Sequence, residues 1–168
     1  LADTLVNQGV SMADLGRTDE AFRLFREALK LDPVHAGATY NQGLLMDRLG
    51  RGDANIVARL SALKHGQKQD WVPAYLLSQA HSLRGDAQEA GKALTDAATL
   101  SPENAFVRKA QAGGYQSDFF VVLPKGTERA QEETTTFGQH MARAREHKER
   151  GEFEKAYGEV KKARGVKP

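Results

Sequence analysis

Five histidines, at 35, 65, 81, 140 and 147, are the first candidates for metal or acid–base chemistry. Their spacing supports neither. A helical zinc site of the H-E-x-x-H kind needs two imidazoles one turn apart so that both face one ion. His140 and His147 are seven residues apart and can share a helix face, but no carboxylate partner accompanies them there. The chain has no cysteine, which removes thiolate zinc sites, disulfides and a cysteine nucleophile. Gly113-Gly114 lacks the lysine and helix that would make it a phosphate loop, and no G-x-S-x-G elbow occurs. The carboxylates are spread along helix faces as ion-pair partners, such as Glu27 with Lys30 and Glu159 with Lys162. No catalytic residue, metal or cofactor is therefore expected.

Charge and composition narrow the class. The 168 residues carry a net charge of +2, with 40% apolar and 27% charged residues, the balance of an ordinary globular chain. From Phe137 to Pro168 there are nine Lys/Arg against five Glu. The glutamates interleave with the basic residues, as on a solvated helix face, which argues against a nucleic-acid partner. The longest apolar run, Phe119-Phe120-Val121-Val122-Leu123, is far too short to span a bilayer. With Leu1 at the start and no signal peptide visible, the sequence reads as a piece of a longer protein, with cytoplasm favoured over periplasm.

The elements that position these residues repeat. Leu15-Gly16-Arg17-Thr18-Asp19 returns as Leu49-Gly50-Arg51-Gly52-Asp53, and Ala28-Leu29-Lys30 as Ala62-Leu63-Lys64, both 34 residues further on. A 34-residue period is that of stacked helix–turn–helix units. In the first unit a helix should end near Leu15, with Gly16 making the turn and Thr18 capping the next helix. Phe22, Phe25 and Leu29 form the apolar stripe of that second helix, and Asp32-Pro33 stops it.

Leu5, Gln8, Gly9 and Met12, followed by Ala21, Phe25, Ala28 and Pro33, resemble the tetratricopeptide (TPR) pattern, without its tryptophan and tyrosine. The resemblance implies an all-α fold, an α-solenoid of antiparallel helix pairs wound into a TPR superhelix. Three repeats fall at about 2–35, 36–70 and 71–104. In the second, Asn55 stands where the first has Ala21, and Arg59 where it has Phe25. Gly151, Ala156, Val160, Ala163 and Pro168 mark a further TPR-like repeat over 137–168, atypical and terminal, with a very polar first helix at Gln139–Arg150.

Residues 105–136 lose the pattern. Ala105–Ala112 reads as a helix started by Ser101-Pro102, Gly113-Gly114 breaks it, and an irregular stretch covers about 113–136. The run Phe119–Leu123 has strand-like composition. Two readings stay open: a misshapen fourth repeat, or an inserted loop that packs into the groove of the array or pairs with another chain.

In TPR families the first helices line a concave face that receives peptide segments. Carried over, the lining residues are Asp3, Val6, Asn7, Val10 and Asp14, then Tyr40, Asn41, Leu44, Asp47 and Arg48, then Val72, Tyr75, Leu76, Gln79 and Ser82. Asn7, Val10, Tyr40, Asn41, Leu44, Tyr75 and Gln79 are the partner-binding candidates. Asn7 and Asn41 occupy equivalent places, and an amide there can clamp a peptide backbone through both its donor and its acceptor. The plainer alternatives are that Val10 and Leu44 are core, and that the asparagines cap turns or face water. Val6, Val10, Val72 and Leu76 stand where chaperone adaptors carry a basic carboxylate clamp, so that ligand class does not fit.

The implied function is a protein–protein interaction scaffold with a protein or peptide partner. Ala38–Leu45 is similar to TPR segments of large bacterial signalling proteins that also carry kinase or propeller domains. The alternatives are an assembly factor of a bacterial envelope machine (pilus or secretion system) and a recruiting module for a catalytic domain elsewhere in a longer protein.

Overall fold

The computed structural model describes residues 1–51, 55–115, 118–123, 143, 147–148 and 150–165. Helices α1 (Ala2–Asp14), α2 (Thr18–Leu31), α3 (Ala36–Arg48), α4 (Ile56–Gly66), α5 (Trp71–Leu83), α6 (Ala87–Leu100) and α7 (Ala105–Gln111) lie in a first compact unit, Leu1–Val122. Helix α8 (Phe153–Gly165) belongs to a second, Leu123–Pro168. No strand occurs among the described residues. Consecutive helices of the first unit pack on one another, and α1, α3 and α5 also pack side by side. That is the contact pattern of an α-solenoid, in which each helix pair leans only on its neighbours.

The 34-residue repeat is a repeat of one turn. Gly16, Gly50 and Gly85 follow the first helix of each pair with φ of 75°, 62° and 80°. The left-handed backbone lets the next amide reach back over the helix end: Arg17 N–H to the Met12 carbonyl at 2.9 Å, Arg51 to Met46 at 3.0 Å, Asp86 to His81 at 2.9 Å. A side chain at those glycines would pay a steric cost for this conformation.

Three local expectations change. Arg17, not Thr18, holds the cap position of α2, and Thr18 is the first helical residue. The turn uses the Arg17 amide, so the helix restarts at once, and the Arg17 guanidinium pairs with Glu20 at 2.6 Å. Asn55 does not replace Ala21 inside a helix; it precedes α4 with a left-handed φ of 44°, so that helix starts late and has 11 residues against 14 in α2. The start of α7 is capped by Asn104, whose side chain accepts from the Phe106 and Val107 amides, rather than by Ser101.

The tightest crossing is between α1 and α2. A Cβ on Gly9 would lie 2.5 Å from the Phe25 ring, and Phe25, Ala21 and Ala28 are fully buried against it. Helices α3 and α5 are buried on every side, continuously over Ala36–Leu45 and Pro73–Ala80. A solenoid helix packed only by its neighbours keeps an exposed stripe. The covering layer comes from beyond α7.

Gly151, with φ of 74°, precedes α8. His147 Nδ1 lies 2.6 Å from Glu152, which also accepts from Lys155 at 3.0 Å. These partners hold the Glu152 carboxyl below its ordinary range, the His147 hydrogen bond most. Of the repeat expected over 137–168, residues 150–165 with α8 are described, while its first helix at 139–150 falls largely outside the described residues and 124–136 wholly so.

Candidate functional site

The site is built on two asparagines. Asn41, in the middle of α3, is completely buried. Its Nδ2 donates to the Phe120 carbonyl at 2.8 Å, and its Oδ1 accepts from the Phe120 amide at 2.7 Å. Asn7, in α1, does the same for Val122, with both distances 2.8 Å. Each side-chain amide thus satisfies both backbone groups of one residue, the most that a single amide can do for one peptide residue. Phe120 and Val122 are two residues apart and present their N–H and C=O to the same side, which requires extended backbone. Two extended residues advance about 6.8 Å, which side chains on adjacent helices 8–10 Å apart can span. The segment Asp118–Val122 therefore lies along α3 and α1 as a strap, running from the second repeat toward the first.

No strand forms at Phe119–Leu123, despite its composition. The groups that a ladder would pair are taken by side chains instead.

Side-chain sockets complete the site. A Cβ on Gly37 would sit 3.2 Å from Phe120 and 3.3 Å from Val122, so the glycine makes room for the strap. The Phe120 ring joins Tyr75 at 6.1 Å and Phe106 at 5.8 Å between centroids, and Trp71 continues the cluster. Phe119 packs 6.2 Å from Phe25, and the Arg48 guanidinium sits 4.7 Å over its ring. The same guanidinium bonds Asp118 at 3.2 Å. Val121, the alternate residue, is 44% exposed. Phe119 and Phe120 are buried.

The seven candidate residues lie on α1, α3 and α5, and all but Asn7 are buried. Val10 and Leu44 are buried in the core. Tyr40, Asn41, Tyr75 and Gln79 are almost wholly buried. Gln79 donates to the Tyr75 hydroxyl at 2.9 Å. Burial pushes the Tyr40 phenol up to about 12, with Arg48 opposing and Asp118 adding, and raises Tyr75 further. The Tyr40 hydroxyl and the Gln79 Oε1 find no hydrogen-bond partner among the described residues. The position equivalent to Asn41 in the third repeat is Leu76, a core residue, so the amide ladder has two rungs.

Gly37, Phe106 and Tyr115 escape sequence reasoning. Tyr115 accepts a hydrogen bond from Ser78 at 3.0 Å where the chain turns back from α7. The one signal was Gly37 itself, a glycine inside a helix where alanine would be more stable, which marks a close approach.

A stack of helix pairs whose first helices hold an extended segment is a helical-repeat scaffold. Residues 2–33, the α1–α2 pair, match the family model described as tetratricopeptide repeat. Among solved structures it is similar to "MamA 41-end from Desulfovibrio magneticus RS-1", at 18% identity and a TM-score of 0.43, over 99% of this chain and 75% of that one. A "MamA RS-1 ArsTM double mutant" gives 18% and 0.43, over 98% and 74%. No curated protein matches. Among the described residues no helix is long and apolar enough to cross a membrane.

Proposed function

We propose that this chain is an interaction scaffold that grips an extended segment of a partner protein in the groove of α1, α3 and α5. The observation that carries the reading is the paired, two-point clamp of Asn7 and Asn41 on alternate backbone residues. Such a clamp reads peptide backbone, which every protein segment offers, while neighbouring pockets select side chains. Tyr75 supplies a flat aromatic wall against Phe120, while Val10, Tyr40, Leu44 and Gln79 are buried on the same three helices.

The test is a pull-down from the host lysate with the wild-type chain and with Asn7→Ala/Asn41→Ala, read by mass spectrometry. A partner held by the wild type and lost by the double variant, at equal helicity, is the expected result. Equal retention would remove the groove from consideration as the working surface.

A further inference from the structure

The groove already holds a peptide, and that peptide states what the groove recognises. We infer that its partner segment has the pattern acidic–aromatic–aromatic–any–aliphatic, in extended form, and that Asp118–Val122 is an internal copy of it. The inference rests on the proposed scaffold reading and specifies its ligand.

Each position of the pattern has a socket. Asp118 meets the Arg48 guanidinium at 3.2 Å, and the same cation lies over the first aromatic ring at 4.7 Å. The second ring enters the cluster of Tyr75 and Phe106 and is buried. The next residue, Val121, is the most exposed of the four apolar ones at 44%, so its position is the least selective of them. The last lies against Gly37, where any Cβ on the helix would intrude. Between these sockets the backbone is held at alternate residues by the two amides, so binding needs free N–H groups at the second aromatic and at the aliphatic position.

The internal copy is an imperfect ligand. The Tyr40 hydroxyl is buried, and Asp118 and Arg48 are close enough to influence its ionisation, yet it has no hydrogen-bond partner among the described residues. Buried polar groups are normally satisfied. A partner that places an acceptor there, such as a glutamate reaching further than Asp118, gains a bond that the strap does not make.

The experiment uses the full chain and fluorescein-labelled peptides, read by polarisation. One peptide spans residues 116–123; a second has the same composition in scrambled order; a third is N-methylated at the residues matching Phe120 and Val122. The receiving chains are wild type and Val122→Pro, which removes the amide donated to Asn7. Amide exchange at Phe120 verifies release of the strap, and Phe120→Asp replaces the proline variant if release fails. The expected result is at least tenfold tighter binding of the first peptide to the released chain than to wild type, with at least tenfold loss on scrambling or N-methylation. If the scrambled peptide binds as well as the ordered one, while N-methylation still abolishes binding, the pattern is wrong and the backbone clamp stands. If the released, fully helical chain binds none of the peptides, both the pattern and the scaffold reading fall.

Discussion

Asn7 and Asn41 are 34 positions apart in sequence, yet they hold residues only two positions apart, Val122 and Phe120. One repeat of the array corresponds to one extended dipeptide of the strap. The correspondence converts a period in the sequence into a ruler on the peptide.

Removing one rung should free the strap without melting the helices. In Asn41→Ala the buried Phe120 amide and carbonyl lose their partners, and each unsatisfied group costs about 1–3 kcal/mol. Detachment is the cheaper outcome, because the strap can return those groups to water. We expect the exchange of the Phe120 and Val122 amides to accelerate by tenfold or more, while the α1–α2 amides keep their protection. Asn41→Asp keeps an acceptor for the Phe120 amide but sets a buried carboxylate oxygen against the Phe120 carbonyl, so it should release the strap at least as fully as alanine. Loss of exchange protection throughout the first unit would mean that the strap is integral to the core.

Gly37→Leu should expel the strap by volume alone. An added Cβ is already within 3.2–3.3 Å of Phe120, His35 and Val122, and three further carbons have no room. The Trp71 ring, 6.1 Å from Phe106 in the same aromatic cluster, should report the change as a shift in its emission. Unchanged emission and unchanged Phe120 exchange would contradict the packing described.

Two buried phenols give the protein an alkaline limit. Tyr40 titrates near 12 when folded and near 10 when unfolded, so between those values the unfolded chain binds fewer protons. Stability is full below pH 10 and declines as pH rises toward 12. Tyr75 shifts in the same direction, also through burial. Tyr40→Phe removes one of the two, and removes a hydroxyl that lacks a partner among the described residues. Thermal melts should show Tyr40→Phe equal to or above wild type at pH 7, with a smaller fall in Tm between pH 9.5 and 11.

The crossing of α1 and α2 should tolerate almost no added bulk. Gly9→Ala drives a methyl to within 2.5 Å of the Phe25 ring, and overpacking of this kind costs about 1–3 kcal/mol. Ala21→Trp, at a position with no exposure, should cost more and unfold the pair. An unaltered melting temperature and circular dichroism spectrum in both variants would show that this register of the first repeat is misplaced.

Much of the fold was legible because it is local. The recurring Leu-Gly pair set the turns at Gly16 and Gly50, Gly85 marked the third, and apolar spacing set the helices between them. Caps were less legible: Thr18, Asn55 and Ser101 all have capping chemistry or stand near a helix start, but the backbone bonds of the preceding turn decide which residue falls at the cap. The offset that aligned Asn7 with Asn41 put both amides on the first helices. The partners of those amides are 115 and 79 residues away, and no local pattern carries that information. The burial of α3 on all sides was hidden for the same reason, since its covering layer follows α7.

The strap is attached to α7 through only six residues, 112–117. A ligand on so short a tether experiences an effective concentration of its own groove in the millimolar range. Any partner competes against that value, and its apparent affinity falls in proportion to the fraction of molecules with the groove vacant. On the scaffold reading proposed above, the tether sets a threshold: weakly matching segments would be turned away, and a sequence that outbids the built-in copy, or arrives already anchored nearby, would be admitted.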